Sequence, residues 1–200
     1  MKKCVFLFFS FAIVLTAGLS SCNQSANVTA ANDKQDVAVI DSLAQQLHYI
    51  DSLYNSGSLI HLDSYKLGKL KSIDISVKSI NVEGVTVQHI NLRKEIGNYY
   101  YSYWEDARLL PGECQYLIKA IGTIKSNLHR ETNHEERYAY ITKDNIRILA
   151  TNDGSGAKWT VNLSVNYQKE GAEITISEEE LDTFVDLIKQ GLAKIDEISK

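Results

Sequence analysis

The chain is 200 residues long, with 21 Lys and Arg against 25 Asp and Glu, a formal net charge of −4 and 44% apolar residues. This suits one domain with a sizeable core, and the acidic balance argues against binding to nucleic acid or other polyanions. A single proline excludes long Pro-rich linkers, and three cysteines are too few for a disulfide framework.

At the N-terminus Lys2 and Lys3 precede an apolar run from Val5 to Leu15 and then the smaller, more polar stretch Thr16 to Ser21. This is the layout of an export signal, and the run stops short of the about 20 apolar residues needed to span a bilayer. Leu19-Ser20-Ser21-Cys22, a branched apolar residue, two small residues and a cysteine, resembles the lipobox of bacterial lipoproteins. The resemblance implies that residues 1–21 are a signal peptide, that the Cys22 sulfur takes a diacylglycerol, and that its new amino group takes a further acyl chain such as palmitate. Each buried methylene contributes about 0.8 kcal/mol, so two or three chains make a lasting anchor. Inner-membrane lipoproteins often carry aspartate after the cysteine, where this chain has Asn23. The implied location is therefore the outer membrane, facing the periplasm, with display at the cell surface as the other arrangement. The competing reading is an ordinary secretory signal cut near Ala17. With Cys4 lost and Cys22 acylated, Cys114 is left alone and no internal disulfide is expected.

Residues 22–32 are small and polar, without periodicity, and read as a flexible tether. From Asp33 to the C-terminus a single α+β domain is expected. Asp33 offers an N-cap, and Ile40, Leu43, Leu47, Ile50 and Tyr54 predict a helix from Lys34 to Asn55, packed on the domain's own sheet or paired as a short coiled coil. Strands are expected at Leu59–Tyr65, Ser72–Val82, Val85–Leu92 and Asn98–Glu105, with Glu83-Gly84 as a turn. Pro111 opens a helix whose Cys114, Leu117, Ile118, Ile121 and Leu128 share one face.

Strands then follow at Glu136–Thr142, Asn145–Thr151, Lys158–Tyr167 and Glu173–Ile176, with Asp153-Gly154-Ser155-Gly156 as a turn and a helix from Glu178 to Ile198. The two helical faces align at a constant offset, Leu117 with Phe184 and Ile121 with Ile188. That pattern fits two ββββα units, 57–130 and 131–200, and equally two unrelated helices brought into register by their common period. The order is similar to tandem ββββα architectures, some of which bind nucleic acid; export and negative charge argue against that use.

Tyr99, Tyr101, Tyr103, Trp104, Tyr138 and Tyr140 stand as candidates for binding. The run Tyr99-Tyr100-Tyr101-Ser102-Tyr103-Trp104 divides by strand alternation into Tyr99, Tyr101 and Tyr103 on one side and Tyr100 and Trp104 on the other. Either one side is open, a platform for a sugar ring or protein partner that Tyr138 and Tyr140 extend, or the strand is covered on both faces. His129, Glu131 and His134 have the residue types for zinc, but not the spacing of a helical HExxH site, and a solvated loop is the favoured reading. Cys114 reads as packing rather than as a nucleophile, since its period points it inward. Ser177 with Glu178-Glu179-Glu180 reads as a capping box. No catalytic motif and no cofactor is expected. The leading function is a noncatalytic envelope module that binds a protein or glycan. The alternatives are a small metal-dependent or hydrolytic enzyme and an assembly subunit.

Overall fold

The computed structural model describes residues 42, 44–82, 84–97 and 100–200. The expected signal peptide and tether, with Cys22, and Tyr99 lie outside the described residues. The described residues belong to one compact unit. Among the described residues no helix is long and apolar enough to cross a membrane.

Helix α1 (44–54) is followed by strands β1 (Ile60–Leu70), β2 (Ile73–Val82), β3 (Val85–Gly97) and β4 (Ser102–Leu109), and then helix α2 (Pro111–Asn127). The same order recurs with β5 (Glu136–Ile141), β6 (Arg147–Asn152), β7 (Trp159–Ser164), β8 (Glu173–Ile176) and helix α3 (Glu178–Ile198). Each group of four strands is an antiparallel sheet in sequential order. The fold is thus α+β, two ββββα units after an N-terminal helix.

Strand alternation in β2 builds two cores from one sheet. Ile73, Ile75 and Val77 face inward, and Ile80 and Val82 face the opposite side. The inward set joins Ile90 and Leu92 of β3, Leu117 and Ile121 of α2, Ile148, Val161 and Leu163 of the second sheet, and Phe184 and Ile188 of α3. Both sheets therefore share one core. Helix α3 runs onto the first sheet so closely that a Cβ on Gly191 would lie 2.5 Å from the Ile90 side chain.

On the other face Ile80, Val82 and Leu110 are covered by Leu47, Ile50 and Leu53 of α1. This is the packing on the domain's own sheet. The predicted stripe is off by one at its end: Leu53 is buried, while Tyr54 is half exposed. Helix α1 covers only the Ile80 end of that face, and the remainder carries Asp74, Ser76, Lys78, Arg93, Trp104 and Asp106.

Local chemistry accounts for the element ends. Ser177 Oγ accepts from Glu180 N at 3.2 Å and Glu180 Oε2 accepts from Ser177 N at 2.7 Å, the reciprocal capping box of α3. Gly84, at φ +85°, takes the left-handed turn that joins β2 to β3.

Candidate functional site

Strand β4 begins at Ser102, not at Asn98, so Tyr100 and Tyr101 belong to the β3–β4 connection instead of to the strand. Gly97 pairs with Ser102, and a Cβ at Gly97 would collide with the Tyr101 carbonyl oxygen. The reading of a strand covered on both faces is overturned. Tyr101 is 62% exposed, Trp104 46% and Tyr103 41%, and Tyr100 also stands in solvent. These aromatics stand in solvent at the β3–β4 end of the first sheet, although Ile96, cross-strand from Tyr103, is buried.

The tip is not one flat platform. Tyr103 shares the face of Ala107 and Leu109, whereas Trp104 shares the outer face with Asp106 and Arg108. Arg93, cross-strand from Asp106, lays its guanidinium 4.5 Å from the Trp104 ring centroid. Trp104 also borders a shallow hollow of about 350 Å³ with Lys69 and Glu95.

Tyr138 and Tyr140 do not extend this group. They lie on β5, in the other sheet, whereas β4 pairs only with β3. Both are packed against the shared core, Tyr138 with its ring centroid 5.6 Å from that of Trp159. Strand pairing carried them to the wrong place for a common surface.

The residues proposed for zinc are not gathered either. His129 Nε2 sits 3.1 Å from Glu178 Oε2, His134 Nδ1 sits 3.3 Å from Thr132 Oγ1, and Glu131 is exposed. Among the described residues no group of three His, Cys, Asp or Glu side chains is placed to hold a metal ion. Cys114 is fully buried with its thiol 3.4 Å from the Leu110 carbonyl oxygen. Burial, with Glu113 beside it, pushes the thiol up to about 12, so it is no nucleophile.

A second site was not foreseen. Along β3 the outward positions are His89, Asn91, Arg93 and Glu95, alternating with Ile90, Leu92, Lys94 and Ile96. His89 and Asn91 are nevertheless buried, at 2% and 1% exposure. Helix α1, strand β4 and the β5–β6 turn close around them into an open cleft of about 420 Å³, lined also by Tyr54, Lys78, Asp106, Arg108 and Asp144.

Charge pairing holds this cleft in shape. Arg108 donates through Nε and Nη2 to the two Asp144 oxygens at 3.1 and 3.2 Å, its backbone N–H donates to Asp144 Oδ2 at 2.7 Å, and Nη1 reaches Asp51 at 2.5 Å. One guanidinium therefore ties β4 to α1 and to the second sheet. Burial opposes its charge, but the Asp144 and Asp51 carboxylates raise its pKa further still. Asp106 accepts from Asn91 Nδ2 at 2.8 Å and from Lys78 Nζ at 3.2 Å. Burial works against that carboxylate, and the Asn91 and Lys78 bonds more than offset it, holding its carboxyl below the usual range.

His89 is different. Burial, reinforced by Lys78 and Arg108, lowers its pKa to about 4, so the ring is neutral at ordinary pH. His89 Nδ1 and Asn91 Oδ1 are buried side-chain atoms for which no hydrogen-bond partner is found among the described residues.

Comparison with known proteins gave no match to a family model, to a curated protein or to a solved structure.

Proposed function

We propose that this is a lipid-anchored envelope protein whose folded domain is a noncatalytic module binding a protein or glycan partner. The observation that carries the binding reading is the exposed aromatic tip, Tyr100, Tyr101, Tyr103 and Trp104, at the end of the β3–β4 hairpin. Large aromatic side chains in solvent lose little conformational freedom on binding and bury much area, which is why they serve as anchors. The anchor rests on the lipobox resemblance of Leu19-Ser20-Ser21-Cys22. In this reading Cys22 holds the domain at the outer membrane within reach of a periplasmic partner, and nucleic acid is not that partner.

Two experiments test the two halves. Cys22→Ala is expected to abolish palmitate labelling and release the protein from the membrane fraction; labelling that persists refutes the anchor. Tyr101→Ala combined with Trp104→Ala is expected to abolish capture of the partner in envelope pull-downs or on a glycan array. Unchanged capture by a folded double variant refutes the tip as the binding surface.

A further inference from the structure

One side of the Trp104 indole is taken and the other borders open space. On the outer face of the first sheet Glu95 stands cross-strand from Trp104, with the pair Arg93 and Asp106 on one side of them and the pair Gly97 and Ser102 on the other. Arg93 lays its guanidinium 4.5 Å from the indole centroid. On the opposite side glycine has no side chain and serine a short one. There lies the hollow of about 350 Å³, its lining completed by Lys69 and Ser72 from the β1–β2 end. That volume falls within the range of small-molecule sites, about 300–1,000 Å³. Lys69, Ser72, Glu95, Ser102 and Trp104 are all exposed, so their side chains are within reach of a ligand in the hollow.

The lining selects the chemistry of the ligand. It holds one ammonium, Lys69, and one carboxylate, Glu95. Around it Lys69 sits 3.6 Å from Asp74, and Arg93 3.7 Å from Asp106, which also holds Lys78 at 3.2 Å. Lys69, Lys78 and Arg93 thus stand against Asp74, Glu95 and Asp106, and neither sign prevails. A cation on the indole would share the ring with Arg93 and approach Lys69, and an anion would meet Glu95. Glu95, Ser72 and Ser102 make no side-chain hydrogen bond or ion pair among the described residues. A carboxylate only accepts, an ammonium only donates and a hydroxyl does both. A ligand that uses all of them carries hydroxyls around its rim, and one that also covers an indole carries an apolar face. A pyranose ring has both.

We infer that this hollow binds a sugar residue, its apolar face on the Trp104 ring across from Arg93, one hydroxyl donating to the Glu95 carboxylate and another accepting from Lys69 Nζ. Ser72 and Ser102 stand beside the remaining hydroxyls, and Arg93, drawn to Asp106, steadies the indole from behind. The inference rests on the reading of the aromatic tip as a binding surface and narrows its partner to a glycan held at Trp104.

The test is a titration of the full-length chain with glucose, galactose, N-acetylglucosamine, choline and inorganic phosphate. It is read by the NMR shift of the Trp104 indole N–H, assigned by its loss in Trp104→Phe. Expected is a saturable shift with at least one of the three sugars and none with choline or phosphate. By calorimetry Glu95→Ala is expected to weaken sugar binding at least fivefold and Trp104→Ala to abolish it, while Tyr103→Ala, on the opposite face of β4, leaves it within twofold. The Trp159 indole signal, from the second sheet, reports that each variant is folded. Sugar binding that survives Trp104→Ala would overturn the hollow as its place. Unchanged binding in Glu95→Ala, or a shift with choline or phosphate in place of the sugars, would overturn the ligand class. No shift with any probe would overturn the sugar site; the tip reading would then stand if Tyr101→Ala combined with Trp104→Ala abolished capture of a protein partner, and fall too if it did not.

Discussion

Acid weakens this fold in a window that His89 defines. Burial first, then Lys78 and Arg108, hold its folded pKa at about 4, against 6.5 for an ordinary histidine. Above pH 6.5 the ring is neutral in both states and contributes no pH dependence. Between about 6.5 and about 4 the unfolded chain binds a proton that the folded chain does not, so stability falls as the pH falls. Below that window the folded ring protonates too and the loss levels off. At about 1.4 kcal/mol per pH unit the whole window is worth about 3 kcal/mol, a large part of a typical domain's stability. Glu113 acts in the opposite sense: burial raises its carboxyl, so the folded chain takes up that proton first and gains stability on the way down. The difference between wild type and His89→Phe isolates the histidine. Urea unfolding at about pH 7.5 and about pH 4.5 should show the wild type losing about 2.5 kcal/mol more than the variant. At neutral pH the variant should be as stable as the wild type or more so, since it removes an unanswered polar atom. A His89 ring that protonates near pH 6.5 by NMR, or equal acid losses in the two proteins, refutes the burial argument.

Arg108→Ala removes the cation that joins α1, β4 and the β5–β6 turn, and urea unfolding should show a loss of about 2 kcal/mol, below the fully buried value because Asp51 is solvated. Ser177→Ala deletes both bonds of the capping box at α3 and should lower stability by about 1 kcal/mol in the same assay; no change would mean the cap is frayed in solution. Cys114 should resist aromatic disulfide reagents in native protein at pH 8 and react fully in urea, whereas rapid native labelling contradicts its burial. Gly191→Ala sets a better helix former against a Cβ 2.5 Å from Ile90, and thermal unfolding should show a net loss of about 1–3 kcal/mol, because the collision is with a packed core.

The helices were legible because each carries its own record: Leu117, Ile121, Leu181, Phe184 and Ile188 repeat at helical spacing, and Pro111 and Ser177 mark starts. Strand ends were less so. Strand β1 continues to Leu70 through Lys66-Leu67-Gly68-Lys69, where a register shift between Lys66 and Gly68 breaks the alternation that sequence reading depends on. Strand β3 continues to Gly97 through Arg93-Lys94-Glu95, charges that read as a loop. Only Arg93 and Glu95 stand on the open face there; Lys94 points to the apolar side and donates to the Gly171 carbonyl. At the aromatic run, alternation correctly separated Tyr103 from Trp104. It could not show that both stand exposed, since that depends on what packs against this end of the sheet.

The cleft shows why sites of this kind escape sequence reading. His89, Asn91 and Arg93 alternate with Ile90 and Leu92, and such a pattern reads as a strand with one wet face. What buries the first two of those polar side chains arrives from far along the chain: Asp51 and Tyr54 on α1, and Asp144 from the β5–β6 turn, held by one arginine. None of these carries a motif. Their meeting depends on α1 covering the Ile80 end of the sheet and stopping there, which leaves a gap over His89. A hydrophobic helix long enough to cover the whole face would have filled the gap and would have demanded apolar residues at 89 and 91. The chain instead keeps a histidine and an asparagine where burial penalises them, and the charges around them are spent on one another. The sheet face is therefore shaped by two requirements, a core at one end and an unfilled polar recess at the other, and only the first is needed for folding.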